Sequence, residues 1–148
     1  MADKLDEKDF AILDVLKMHG DYTVRQISRK TLLAPTTVHS RIKKLRKERI
    51  IRKYTIDIDE KKLGKRLGAY IMISADLKLL KEKRKSQYDL YEEIKKLPMV
   101  KEVHIVAGGT DLIAHVQVKD IEEFDKILLE KIQLLEGVSN TRTMIIMH

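Results

Sequence analysis

Cysteine and tryptophan are both absent from this 148-residue chain, and asparagine occurs once, at Asn140. Without cysteine there can be no disulfide and no thiolate metal site, which fits a reducing cytoplasm. No apolar run approaches the ~20 residues that span a bilayer. The opening Met-Ala-Asp-Lys-Leu-Asp-Glu-Lys-Asp is acidic and polar, unlike a signal peptide. A cytoplasmic protein with no membrane partner is the expectation. Phenylalanine and tyrosine together total seven and do not cluster, so no aromatic-rich sheet is set up for stacking RNA bases. The chain also lacks a Gly-rich phosphate loop and a His-Glu-x-x-His spacing. An enzyme, a resident cofactor and a metal centre are therefore not expected.

What the chain has in excess is positive charge in one place. Arg25 to Lys53 holds eleven Lys or Arg against the single acid Glu48, a local +10 where the whole chain carries +7. Focused charge of this kind is an electrostatic footprint for nucleic acid. Within it, Thr23 and Gln26 make a capping box, with Tyr22 and Ile27 as a hydrophobic staple. Thr31-Leu32-Leu33-Ala34 makes a turn, and Pro35 suits the first position of the next helix. On that helix Val38, Ile42 and Leu45 recur at i, i+4 and i+7 and face inward. The opposite face is centred on Thr36, Ser40, Lys43 and Lys47, flanked by Thr37, His39 and Lys44, with Arg41 nearer the buried edge. Small polar residues followed by lysines suit a recognition helix, the first reaching base edges and the second phosphates. A solvated basic face is the alternative reading of the same residues. Ahead of this pair, Asp6 caps a first helix, Leu5 and Phe10 form its staple, and Gly20 ends it in the left-handed conformation.

Beyond Arg49 the pattern changes. Ile50 to Ile58 alternates like a strand, and Asp59 to Gly64 is charged and apolar-poor, marking a linker. The remainder reads β-α-β-β-α-β: strands over Leu67–Leu77, Val103–Ala107, Leu112–Val118 and Thr143–Met147, helices over Tyr88–Leu97 and Ile121–Leu135. Lys78 to Lys85 is a basic excursion, helix or loop. The order is that of a ferredoxin-like antiparallel sheet with two helices on one face. Apolar residues at successive positions, Tyr70 to Ile73 and Met144 to Met147, leave apolar groups on the other face, which points to a homodimer. A two-residue loop at Gly109-Thr110 would set His104 opposite His115. Such a pair is more often interface packing than a metal site.

Taken in order, Leu5-Asp6-Glu7-Lys8-Asp9, Pro35 to Leu45, Ile50 to Tyr54, Gly108-Gly109-Thr110-Asp111 and Gly137 to Thr143 resemble the Lrp/AsnC ("feast/famine") transcription regulators over nearly the whole chain. The fold class this implies is α+β, an N-terminal winged helix-turn-helix domain plus a C-terminal ferredoxin-like βαββαβ domain. The resemblance implies a DNA-binding domain over 1–51, strand and linker over 52–64, and a ligand-sensing and oligomerisation domain over 65–148. It implies double-stranded DNA as partner, through Thr36, Thr37, His39, Ser40, Arg41, Lys43, Lys44 and Lys47. It also implies a homodimer that can extend to tetramers or octamers, and an amino-acid effector at Gly108, Gly109, Thr110 and Asp111. An amino-acid sensor with only non-specific DNA binding is the alternative, and Gly108–Asp111 also reads as an ordinary hairpin turn. The chain departs from the family pattern at Leu32 and Ala34 in the turn and at Arg49. A longer, more basic Leu77–Gln87 stretch is the other departure.

Overall fold

The computed structural model describes residues 5–147, which divide into two compact units between Ile58 and Asp59. In the first, helices α1 (Glu7–Met18), α2 (Val24–Thr31) and α3 (Pro35–Lys47) pack around Ile12, Ile27, Val38 and Leu45, all essentially inaccessible to water. Local chemistry sets the helix starts. Asp6 and Asp9 close a reciprocal capping box on α1, and Thr23 and Gln26 do the same on α2. Tyr22 and Ile27 meet in the same core, as a staple requires. Leu5 joins that core too, but Phe10 points outward and is 53% exposed, so the expected staple on α1 does not form. Gly20 is not left-handed either. The helix closes at His19, whose N–H reaches the Val15 carbonyl at 2.9 Å, and the chain leaves without a positive φ.

The turn between α2 and α3 is built without a side-chain cap on α3. Leu32 takes the left-handed conformation at φ 58°, and Ala34 caps α3 with no side-chain hydrogen bond. Ser28 Oγ instead donates to the Leu33 carbonyl at 2.6 Å, and Pro35 stands at the first helical position. At the far end of α3, Arg49 is left-handed at φ 57° where glycine is favoured. From Ile50 to Ile58 the chain takes no regular secondary structure: the Ile50 and Ile51 amides turn back to the Leu45 carbonyl, and the residues after them pair with no strand among the described residues. The expected strand is thus absent here because alternation supplies a face, while a strand also needs a neighbouring ladder.

The second unit begins with a compact turn in which Asp59 accepts the amides of Lys61 and Lys62. Four strands follow, β1 (Leu67–Ala75), β2 (Val100–Ile105), β3 (Leu112–Val118) and β4 (Val138–Ile145), all antiparallel in the order β2-β3-β1-β4. This is the ferredoxin-like arrangement. Helices α4 (Leu77–Glu82), α5 (Gln87–Lys95) and α6 (Ile121–Ile127) complete it. The basic excursion is therefore helical as far as Glu82, N-capped by Asp76 and anchored by buried Leu80, and it turns at Lys83 and Arg84. Past α6 the helix widens over Leu128–Ile132, so one regular amphipathic helix to Leu135 is not what forms.

One sheet face is dry. Ala69, Ile71 and Ile73 of β1 and Leu112, Ala114 and Val116 of β3 pack with Leu90, Ile94, Phe124 and Ile132. The other face carries registered rows, Met144–Tyr70–His115–Glu102 and Arg142–Met72–Ile113–His104, read from β4 to β2. That register corrects the expected histidine pair. The hairpin loop spans the six residues 106–111, so His104 faces Ile113 and His115 faces Glu102. β4 also starts five residues earlier than expected, because Asn140 to Arg142 are polar yet pair with β1, while Ser139 sits at a register shift and donates through its hydroxyl to the Ser74 carbonyl.

Candidate nucleic-acid interface and effector loop

Along α3 the expected contact residues separate by exposure. Thr36, His39, Ser40, Lys43 and Lys47 are exposed, and Thr37, Arg41 and Lys44 are half-buried. Ser40 Oγ donates back to the Thr37 carbonyl at 3.0 Å, which leaves the hydroxyl oxygen able to accept. Arg41 is committed elsewhere. Its Nη1 sits 2.7 Å from Asp6 Oδ2 and 3.1 Å from Asp9 Oδ2, so the guanidinium turns toward the start of α1. The Asp9 amide and then the Arg41 guanidinium hold the Asp6 carboxyl below its ordinary range, against partial burial. Arg46 lies over the Tyr54 ring, 6.0 Å from its centre, linking the segment after α3 back to that helix. Arg25, Arg29 and Lys30 add exposed cations along α2.

In the second unit, Gly108 (φ 141°) and Gly109 form the open tip of the hairpin loop, with no heavy atom within 4 Å of where a Cβ would stand. Thr110 and Asp111 turn back to the sheet instead. Thr110 Oγ1 donates to the Ile73 carbonyl at 2.9 Å, and the Asp111 amide reaches the same carbonyl at 3.0 Å. The Asp111 carboxylate accepts the Ala75 amide at 2.8 Å and Gln87 Nε2 at 3.0 Å. One acid thus fixes the loop to the end of β1 and to the start of α5. Sequence reasoning missed Gln87 and Ala75, since nothing local marks partners 24 and 36 residues away.

Two family models cover the chain in the order this architecture requires. A winged helix-turn-helix DNA-binding model matches residues 5–52, and the Lrp/AsnC ligand binding domain matches residues 69–148. The chain belongs to the Lrp/AsnC family. An HTH-type transcriptional regulator of Pyrococcus furiosus, PF0250, is 39% identical over 98% of this chain and 94% of its own length. Another from that organism, FL11, is 32% identical over 97% and 89%. Among solved structures, the transcriptional regulator NMB0573 of Neisseria meningitidis, in complex with L-Met, superposes with a TM-score of 0.89 at 25% identity, covering 98% of this chain and 91% of that one. AsnC of E. coli superposes at 0.84 with 23% identity over 99% and 94%, a likeness of fold. This Lrp/AsnC chain is a helix-turn-helix transcription regulator with a ligand-binding-type second domain.

Two cations of the basic excursion, Lys83 and Lys85, are held by acids of the same unit. Lys83 and Lys85 pair with Glu136 at 3.3 and 3.1 Å, and Lys85 also pairs with Glu93 at 3.1 Å. Glu136 is held below its ordinary range, first by Lys85 and then by Lys83. No helix among the described residues is long and apolar enough to cross a membrane, and no group of three or more metal-type ligands occurs among them.

Proposed function

We propose that this regulator binds operator DNA as a homodimer, with α3 of each protomer in successive major grooves. The observation that carries the reading is the exposed row Thr36, His39, Ser40, Lys43 and Lys47 on one face of a helix whose other face is buried in its own core. Thr36, Thr37, His39 and Ser40 serve as base or groove contacts. Lys43, Lys44 and Lys47 serve as phosphate contacts. Tyr70, Met72, Ile113, Met144 and Ile146 support dimerisation through the open sheet face: Tyr70, Met144 and Ile146 are 40%, 51% and 38% exposed in the single chain. Apolar residues of that kind gather where a partner covers them. A larger assembly of dimers belongs to the same reading.

The ligand is an amino acid or related metabolite at the Gly108–Asp111 loop. The L-Met complex of the Neisseria regulator supports the ligand class, and the open glycine tip supports the choice of this loop. Mobility shifts across a salt series test the DNA reading. A steep salt slope with preference over competitor DNA is expected, and equal affinity for unrelated DNA contradicts it. A thermal-shift screen of the twenty amino acids tests the ligand. One or a few should raise the melting temperature, and Gly109→Ala should reduce that rise.

A further inference from the structure

We infer that Arg41 is a positioning residue that sets the recognition helix through the α1 capping box, and that Asp6 and Asp9 keep its charge away from the DNA. The inference rests on the reading of α3 as the recognition helix. By sequence, Arg41 is one more cation in a basic helix, and a phosphate contact is its natural assignment. The geometry gives it a different role. One nitrogen, Nη1, reaches Asp6 Oδ2 at 2.7 Å and Asp9 Oδ2 at 3.1 Å.

The two acids are themselves locked together. The Asp6 amide donates to Asp9 Oδ2 at 3.2 Å, and the Asp9 amide donates to Asp6 Oδ1 at 3.0 Å. Asp9 is completely buried, and its Oδ1 has no hydrogen-bond partner. A buried carboxylate without a cation is strongly disfavoured, so Arg41 is the counter-charge that lets Asp9 stay in this core. The link joins residues 32 apart in sequence and ties the first turn of α1 to the middle of α3.

The position of the link matters for recognition. Arg41 follows Ser40 directly and lies one turn beyond Thr37, so a clamp there fixes both the rotation and the depth of the contact face. Val38 and Leu45 fix that helix only through apolar packing, which is non-directional. A charge-assisted hydrogen bond has direction, and it removes the freedom to roll. The acids also withdraw one positive charge from a surface rich in cations. That lowers sequence-independent attraction while leaving base readout intact, which favours discrimination over raw affinity.

A double-mutant cycle tests this. The probe is a duplex selected by the wild-type protein from a random-sequence pool, with an unrelated duplex as competitor. The variants are Arg41→Gln, Asp9→Asn and the pair together. Arg41→Gln should lower the ratio of specific to non-specific affinity by about tenfold, the scale of one lost base contact. Its salt slope should match wild type, and adding Asp9→Asn should cost nothing more in that ratio. A slope shallower by about 0.9 in Arg41→Gln shows a direct phosphate contact and overturns the proposal. So does a double variant clearly worse than both singles. If Asp9→Asn does not fold, Asp6→Asn replaces it, because Asp6 lies at the surface and the same non-additivity is expected. If the wild-type protein selects no duplex at all, the DNA reading itself fails, which is a different result from an altered slope.

Discussion

Asp111 Oδ2 accepts the backbone N–H of Ala75 at 2.8 Å, while its other oxygen accepts Gln87 Nε2 at 3.0 Å. One side chain therefore satisfies a strand end and a helix start that are far apart in sequence. Asp111→Ala leaves the half-buried Ala75 amide without its acceptor and should cost about 1–3 kcal/mol in urea unfolding. Asp111→Asn keeps a carbonyl acceptor and should recover most of that loss. An Asp111→Ala protein as stable as wild type would show the two bonds to be incidental.

A second relationship ties α4 to the loop before β4. Gly137 has φ 99°, and a Cβ built there would overlap Leu80, which is 2% exposed. Gly137→Ala combines left-handed strain of roughly 1–2 kcal/mol with overpacking of about 1–3 kcal/mol. Chemical denaturation should show a loss on the order of their sum, and Leu80→Ala in the same chain should relieve only the overpacking part.

The turn ahead of the recognition helix yields a stabilising substitution. Leu32 is left-handed at φ 58° and 91% exposed, so its side chain packs on almost nothing while its backbone is strained. Leu32→Gly should stabilise the first unit by about 0.5–1 kcal/mol, the left-handed penalty less the added freedom of the unfolded chain. Thermal unfolding measures it, and a lower melting temperature would contradict the account.

His115 predicts a pH dependence. Burial, followed by the Lys101 charge, holds its imidazole below the ordinary 6.5, with Glu102 and Glu60 opposing. Its ring stacks on Tyr70 with centroids 4.8 Å apart, and Nε2 has no hydrogen-bond partner. A depressed histidine means that the unfolded chain binds the proton more readily. The stability from keeping His115 neutral is present above pH ~6.5 and is lost as the pH falls toward the lower folded value. Between pH 7 and 5 the wild type should lose more stability than His115→Gln. Parallel pH profiles would remove His115 as the cause.

Features set by neighbours in sequence could be read before the structure was known. The capping box at Thr23 and Gln26, the inward Val38, Ile42 and Leu45, and the β-α-β-β-α-β order depend on patterns within a few residues. What escaped depends on distant partners. The ion pairs of Arg41 are of this kind, since Asp6 and Asp9 lie at the start of another helix. The six-residue length of the hairpin loop is another, since bonds to Ile73 and Ala75 of β1 hold Thr110 and Asp111 out of the ladder. Ile50 to Ile58 carries a strand's alternation without a ladder, and alternation alone cannot supply one.

The contact face of α3 gives paired expectations. Lys43→Ala should weaken binding to all duplexes alike and reduce the salt slope by about 0.9, whereas Ser40→Ala should change sequence preference at unchanged slope. Competitive binding of a small panel of single-base variants separates the two. Identical behaviour of both variants would mean that Ser40 does not read bases.

Hydroxyl-radical footprinting of the selected duplex tests the central claim most directly. Two copies of α3 in successive major grooves should protect two symmetric patches whose centres lie one helical turn, ~34–36 Å, or a multiple of it apart. Protection without that periodicity, or equal protection of an unrelated duplex, would contradict a dimer reading DNA through Thr36–Lys47.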